Sequence, residues 1–189
     1  TSAHAETNAS HPAVGVFGDD HRKIIHLNSS LDGNDTPGHS DYRHGTHVIG
    51  SLACHDVHSA RQDAHPDNGS TLAHGTKLVV QDIVSSDGWV PPNADALLWE
   101  SSAHGGVIHS NSWGDDTTAY TVRTGRFDAY ARAVPWSLAV IAPGNSGEGV
   151  LEPANGRNVV AVSASTKSLD AERWGSTAYG PTEAGTDGI

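Results

Sequence analysis

The residues Leu138-Ala139-Val140-Ile141 form a continuous apolar run, which stands between Pro135 and the pair Pro143-Gly144. A short apolar run that is bounded by turn residues is typical of a strand buried on both faces. We therefore predict a strand over residues 137–142. Because such strands occur where helices cover a parallel sheet, the run indicates an α/β protein.

Strand and helix patterns alternate along the rest of the chain. Further strands are predicted at residues 23–27, 77–84, 107–113 and 158–164. Helices are predicted at residues 93–103 and 121–133, and residues 44–53 indicate a loop tip that enters a helix. This order predicts a doubly wound, mostly parallel sheet with helices on both faces, a three-layer α/β/α architecture with right-handed crossovers.

Composition and charge limit the class of protein. A chain of 189 residues is long enough for one domain with a sizeable core. Its net charge of -11 argues against a partner with a phosphate backbone, so we expect no nucleic acid. No run of about 18 apolar residues occurs, so we expect no transmembrane helix and no membrane partner. The sequence contains no signal peptide and does not begin with Met.

Cysteine and histidine usage adds two expectations. Cys54 is the single cysteine, which excludes an internal disulfide. If it lies on the helix that follows residue 44, we expect a small buried apolar side chain. The 13 His residues are scattered, and we expect most of them to be exposed.

Three glycine-containing segments differ from the rest of the sequence. They are His44-Gly45-Thr46-His47-Val48-Ile49-Gly50, Ser110-Asn111-Ser112-Trp113-Gly114 and Ala142-Pro143-Gly144-Asn145-Ser146-Gly147. The second and third lie where predicted strands end. Because ligands bind at the carboxyl ends of the strands in open α/β sheets, we expect both segments at a ligand site. Taken in this order, the three segments resemble those of the subtilisin-like serine proteases, the subtilases.

The resemblance implies catalytic roles for two residues. His44 matches the general base, which takes the proton of a serine hydroxyl that is a poor nucleophile by itself. Asn145 matches the oxyanion-hole residue, whose side-chain amide donates to the tetrahedral oxygen. The structural alternatives are a surface histidine and a Gly-Asn-Ser-Gly turn without a catalytic role.

The resemblance also implies two walls of a substrate-binding cleft. One wall consists of Ser112, Trp113 and Gly114, whose extended backbone would pair with the substrate. The other wall consists of Ala142, Pro143 and Gly144. Pro143 stands where the family has a small residue, and its missing N–H would alter the first specificity pocket. Trp113 is equally suited to core packing at a strand end.

Other matches extend the resemblance over residues 11–188. Leu151-Glu152-Pro153-Ala154 and residues 158–164 are similar to the P-A…N-V-I-x-V-G-A region of the family. Tyr179-Gly180-Pro181-Thr182 resembles the G-P-T segment that precedes the nucleophile region. These matches, together with Asn-Ser-Trp-Gly, are closest to the bacterial branch of the family.

Two segments of the family pattern are missing. No Gly-Thr-Ser-Met-Ala segment supplies the nucleophilic serine, and no convincing apolar strand ends in Asp-Thr-Gly or Asp-Ser-Gly. Residues 8–12 resemble the sequence that follows the Asp motif, which would place the catalytic Asp before Thr1. Asp19 or Asp20 is the alternative. We therefore expect residues 1–189 to be a partial catalytic domain with an incomplete fold, inactive by itself.

The sequence thus predicts a serine endopeptidase that cleaves a peptide or protein substrate by acyl transfer through an Asp-His-Ser triad. The resemblance also implies secretion. One alternative is a non-catalytic peptide-binding protein that uses residues 112–114. Another is a His-rich metal-binding protein, with His44 and His47 joined by His39 or Asp41.

No cofactor is expected to be required for the reaction. Calcium is a candidate structural ion, because Asp32, Asn34, Asp35 and Asp41 offer oxygen ligands on one loop. The alternative for these residues is a solvated acidic loop. The sequence does not indicate an oligomeric state.

Overall fold

The computed structural model describes residues 17–21, 23–28, 43–54, 70–85, 88–89, 93–166 and 172–182. The chain divides into two compact units, Thr1–Val90 and Pro91–Ile189. Within the described residues, no helix has the length and apolar character needed to cross a membrane.

The described residues of the first unit form one helix and two small sheets. Strand β1 (Ile24–Asn28) and strand β2 (Leu78–Gln81) are parallel, and helix α1 (His44–Ala53) lies between them in the chain. Strands β3 (Val84–Ser85) and β4 (Gly88–Trp89) form a separate antiparallel pair. The parallel pairing across a helical connection agrees with the α/β prediction.

The predicted strand at residues 77–84 is wrong in its extent, because it is two strands. Strand β2 pairs with β1 in parallel as far as Gln81, and the Asp82 N–H still donates to the Asn28 carbonyl at 2.8 Å. From Val84 onward the chain pairs with β4 in the opposite sense. A segment that is merely enriched in β-branched residues does not reveal such a change of partner.

Cys54 lies just outside helix α1, so the condition for a buried side chain is not met, and its side chain is exposed. Helix α1 ends at Ala53, and Cys54 follows as the C-cap with extended backbone angles. Its N–H still donates to the Gly50 carbonyl at 3.1 Å. The change of backbone direction at the cap turns the side chain away from the buried face, which ends with Ala53.

The part of the second unit that the structure describes contains two helices and a parallel sheet of three strands. Its elements are helix α2 (Ala94–Ala103), strand β5 (Ile108–Asn111), helix α3 (Val122–Ala133), strand β6 (Leu138–Ile141) and strand β7 (Val160–Ala161). The strands lie in the order β5-β6-β7, with Asn111 beside Ile141 and Ile141 beside Ala161. The α/β class with parallel strands is therefore confirmed.

Side-chain caps define where both helices of the second unit begin. The Asn93 side chain accepts from the Asp95 N–H at 3.1 Å, and the Thr121 hydroxyl accepts from the Arg123 N–H at 3.2 Å. Both residues therefore satisfy a backbone donor that has no partner within the helix. At the other end of α2, Gly105 adopts a φ of 83°, a conformation that favours glycine.

The core of the second unit lies between the two helices and the sheet. Phe127 of α3 is 1% exposed and Ile141 of β6 is completely buried. The buried cluster consists of Ala94, Leu98, Phe127, Tyr130, Val134, Ala139, Ile141 and Ala154. Burial of these apolar side chains is the main force that holds the carboxyl ends of β5 and β6 side by side.

The strands are shorter than the sequence predicts, most clearly at residues 158–164, of which only Val160–Ala161 is strand. Strand length depends on the partner, and β7 pairs with β6 only at Val140 and Ile141. Val162 adds one further bond, from its N–H to the Ile141 carbonyl at 2.9 Å. Apolar residues continue after Val162, but the hydrogen bonds between β7 and β6 do not.

Candidate active site

His44 is the first residue of helix α1, and its side chain is exposed. The preceding residue, Arg43, has a φ of 61°, which is uncommon for a residue with a side chain. The Arg43 carbonyl accepts from the His47 N–H at 3.0 Å, so the first helical turn closes directly on the loop tip. His44 thus stands on a rigid element with its imidazole accessible, as a general base requires.

The metal-binding alternative gains no support from the part of the chain that the structure describes. His47 lies in the same helical turn as His44, and both are exposed. Within the described residues, no group of three or more His, Cys, Asp or Glu side chains could hold a metal ion. His39 and Asp41, together with the calcium candidates Asp32, Asn34 and Asp35, lie outside the described residues.

The first predicted wall, Ser112–Gly114, follows directly after strand β5. Ser112 and Gly114 are exposed, whereas the Trp113 ring packs against the core, 6.0 Å from the Phe127 ring. The Trp113 indole N–H donates to the Asn111 side-chain oxygen at 3.1 Å. The half-buried Trp113 therefore packs against the core, and its two neighbours are exposed.

Gly114 has a steric requirement for glycine. A Cβ at this position would lie 2.4 Å from the Glu152 carbonyl oxygen. The adjacent Asp115 N–H donates to the same oxygen at 3.1 Å. The first wall is thus held against the backbone at Glu152, which lies about 40 residues later in the sequence.

The second predicted wall, Ala142 to Gly144, follows strand β6 and leads to Asn145. Pro143 is buried and its carbonyl accepts from the Leu151 N–H at 3.0 Å. Gly144 has a φ of 106°, and a Cβ there would lie 2.6 Å from the Leu151 side chain. Because Pro143 is buried without an N–H, it leaves no unsatisfied donor at this wall.

Asn145 is exposed, and the loop that carries it is fixed on both sides. The Gly144 carbonyl accepts from the Ala178 N–H at 2.9 Å, and the Gly147 N–H donates to the Ser176 carbonyl at 2.9 Å. A side-chain amide on such a loop is free to point a donor at a ligand while its backbone stays in place.

The two walls lie side by side at the carboxyl ends of the strands. Strands β5 and β6 are neighbours, and the Ala142 N–H donates to the Asn111 carbonyl at 3.0 Å, one step beyond the last strand pair. The two segments therefore leave the sheet side by side, and Ser112, Gly114 and Ala142 are exposed. His44 belongs to the first unit and the two walls belong to the second.

A group of buried polar side chains in the second unit has no counterpart in the sequence motifs. Glu152 and Thr124 are 4% and 0% exposed, and the Thr124 hydroxyl donates to the Asn155 side chain at 2.7 Å. The Asn155 amide in turn donates to the Thr118 carbonyl at 2.9 Å. Buried polar groups are costly unless they are paired, so this network fixes the loop after Gly114.

Among the described residues of the second unit, His109 and Tyr120 have shifted pKa values. Burial lowers the pKa of His109 below its ordinary value of 6.5, and its Nε2 lies 2.9 Å from the Ser137 hydroxyl. Burial, together with the hydrogen bond to Asp128, raises the pKa of Tyr120. His109 is 8% exposed and is thus one of the histidines that are buried.

Comparisons with known proteins show the family to which this chain is related. The family model described as "Subtilase family" matches residues 6–187. No curated protein matches the chain. Among solved structures, the psychrophilic subtilisin-like protease Apa1 from the Antarctic psychrotroph Pseudoalteromonas sp. AS-11 is similar, with a TM-score of 0.58 and 20% sequence identity.

The similarity to Apa1 covers 80% of this chain and 33% of the Apa1 chain. The present chain thus corresponds to about a third of that protein's length. This similarity confirms the subtilisin-like α/β fold that the motifs imply. Because the family model spans nearly all of the sequence, the chain belongs to the subtilase family.

Proposed function

We propose that this chain is part of the catalytic domain of a secreted serine endopeptidase that cleaves peptide or protein substrates by acyl transfer. The observation that carries the proposal is the pair of segments that leave the carboxyl ends of the neighbouring strands β5 and β6, one with Ser112 and Gly114 exposed and the other leading to the exposed Asn145. An extended peptide that enters between such segments can add hydrogen bonds as a further strand. Membership of the subtilase family supports the same reaction class.

His44 and Asn145 have separate roles in this proposal. His44 takes the proton from a serine hydroxyl and later donates it to the leaving amine. The Asn145 amide donates to the oxyanion of the tetrahedral intermediate. No Gly-Thr-Ser segment occurs in the sequence, so the proposal assigns no residue of this chain as nucleophile.

The test is hydrolysis of a tetrapeptide p-nitroanilide by the product of the complete reading frame that contains this chain. Removal of one oxyanion-hole donor lowers kcat by about 10²- to 10³-fold, a magnitude that comes from subtilisin itself. We expect Asn145→Ala to lower kcat by a similar factor and to leave KM nearly unchanged. Ser146→Ala is the matched control on the same loop, and a wild-type protein without activity would overturn the proposal.

A second candidate function is peptide binding without catalysis. It is favoured by Ser112 and Gly114, which are exposed just after strand β5. Peptide binding at these residues would not require a nucleophile. In that case a peptide would bind to the wild-type protein and to His44→Ala with equal affinity, and neither would hydrolyse it.

Calcium binding as a structural ion at Asp32, Asn34, Asp35 and Asp41 is proposed on the chemistry of the ligands alone. No cofactor is proposed for the reaction itself. The test is the melting temperature with calcium and with a chelator. A calcium ion that binds only the folded state raises the melting temperature. An equal melting temperature in calcium and in chelator would therefore refute the calcium site.

A further inference from the structure

The segment Leu151–Pro153 contacts both walls of the proposed cleft. The Leu151 N–H donates to the Pro143 carbonyl at 3.0 Å, and the Leu151 side chain lies against Gly144. The Glu152 carbonyl accepts from the Asp115 N–H at 3.1 Å, and the Glu152 N–H donates to the Thr117 carbonyl at 2.8 Å. The position of this short segment therefore fixes the distance between the two walls.

The Glu152 carboxylate is buried, with 4% of the residue exposed. It accepts hydrogen bonds from the hydroxyls of Thr121 and Thr124, the latter at 3.3 Å. Its other oxygen lies 3.7 Å from Nε of Arg123. A buried carboxylate that has one cationic neighbour depends on that neighbour, so the two side chains hold each other in place.

Arg123 connects this carboxylate to the first wall. Its Nε lies 2.9 Å from the Asp115 carboxylate, and its guanidinium lies over the Trp113 ring, 5.7 Å from the ring centre. Arg123 thus contacts the residues on both sides of Gly114. The contact with Trp113 combines charge and stacking, which depends on the orientation of the guanidinium plane.

We propose that Glu152 is a positioning residue, which acts through Arg123 to hold Trp113 and Asp115, and with them the first wall, at its distance from Gly144. The proposal rests on the proposed function of the two walls. Glu152 touches no group to which the reaction assigns a bond or a proton. Loss of its charge is therefore expected to weaken substrate binding and to leave the chemical step unchanged.

The substitution that tests this role is Glu152→Gln in the product of the complete reading frame. The glutamine oxygen can still accept from the two threonine hydroxyls, so the substitution removes the charge and keeps the shape. We expect KM for a tetrapeptide p-nitroanilide to rise roughly 3- to 30-fold, as for other residues that act on a site through their neighbours. We expect kcat to change by less than about twofold.

Asp128→Asn is the matched control. Asp128 is also a buried carboxylate of the second unit, and it accepts from the Tyr120 hydroxyl at 2.8 Å and from the Asn158 N–H at 2.6 Å. None of the contacts that the structure gives for Asp128 involves either wall. Destabilisation alone would therefore affect both variants, whereas the proposal predicts a raised KM only for Glu152→Gln.

Two further readouts separate the possible failures. The NMR signal of the Trp113 indole N–H is expected to shift in Glu152→Gln and to stay unmoved in Asp128→Asn. Arg123→Met is expected to raise KM, and its combination with Glu152→Gln to add nothing further, because both act on one contact. An unmoved Trp113 signal, or a KM equal to the wild-type value, refutes the role of Glu152. A wild-type protein that hydrolyses no peptide refutes the proposed function instead.

Discussion

Single residues at the ends of β5 and β6 set the shape of the proposed cleft. Gly114 and Gly144 both lie where a side chain would meet the backbone or side chain of the segment at Leu151 and Glu152. The sequence identified both glycines through the family motifs. It did not reveal the neighbouring segment, because the contact joins residues that are distant in the chain and depends on the tertiary fold.

Gly144→Ala is expected to destabilise the second unit. The backbone angle of 106° is one that residues with a Cβ rarely adopt, and the Cβ would also lie 2.6 Å from Leu151. Strain of this kind costs about 1–3 kcal/mol. Chemical denaturation measures the loss, with Gly175→Ala as control because a Cβ at Gly175 has nothing within 4 Å. Equal stability of the two variants would contradict this reason for the glycine.

His109 makes stability depend on pH in a defined direction. Its pKa is lowered in the folded state by burial, so the unfolded chain binds more protons as the pH falls below the ordinary value of 6.5. The stabilisation is complete above that pH and is lost progressively below it. We expect His109→Gln to flatten the fall in melting temperature between about pH 7 and pH 5. The exposed His104→Gln is the control, and an unchanged pH profile in His109→Gln would contradict the account.

At the scale of elements, the sequence predicted both helices of the second unit to within one residue, because their caps are local. Asn93 and Thr121 each accept from a backbone N–H two residues later, and neither contact depends on distant chain. Strand limits were predicted less well, since they depend on the partner. The change of partner after Gln81 and the two-residue length of β7 are the clearest cases.

Thr121→Ala is expected to lower the free energy of unfolding by about 1–2 kcal/mol. The hydroxyl caps α3 and also donates to the buried Glu152 carboxylate, so its removal takes one hydrogen-bond partner from the Arg123 N–H and one from the carboxylate. Thr121→Ser keeps the hydroxyl and should be close to wild type. Urea denaturation measures the free energy of unfolding of the two variants. A similar decrease in both would contradict the role of the hydroxyl and point to the methyl group instead.

At the scale of the whole molecule, parallel strands with intervening helices were sufficient to predict the class and the edge at which the two walls meet. The reason is general, since right-handed crossovers bring successive strand ends to one side of a sheet. The charge network of Arg123 and Glu152 could not be predicted in this way. The sequence around each residue has no local pattern that indicates a partner. Their contact joins helix α3 to a loop, and Glu152 lies 29 residues after Arg123 in the sequence.

The most direct test of the central claim is labelling by a fluorophosphonate probe, which reacts with an activated serine. We expect the product of the complete reading frame to be labelled. His44→Ala should abolish the labelling, because without a general base the hydroxyl is a poor nucleophile. His47→Ala is the matched control from the same helical turn, and its labelling should persist. If the wild-type protein is not labelled, or if His44→Ala is labelled as fast as wild type, the assignment of this chain to a serine endopeptidase with His44 as its base is wrong.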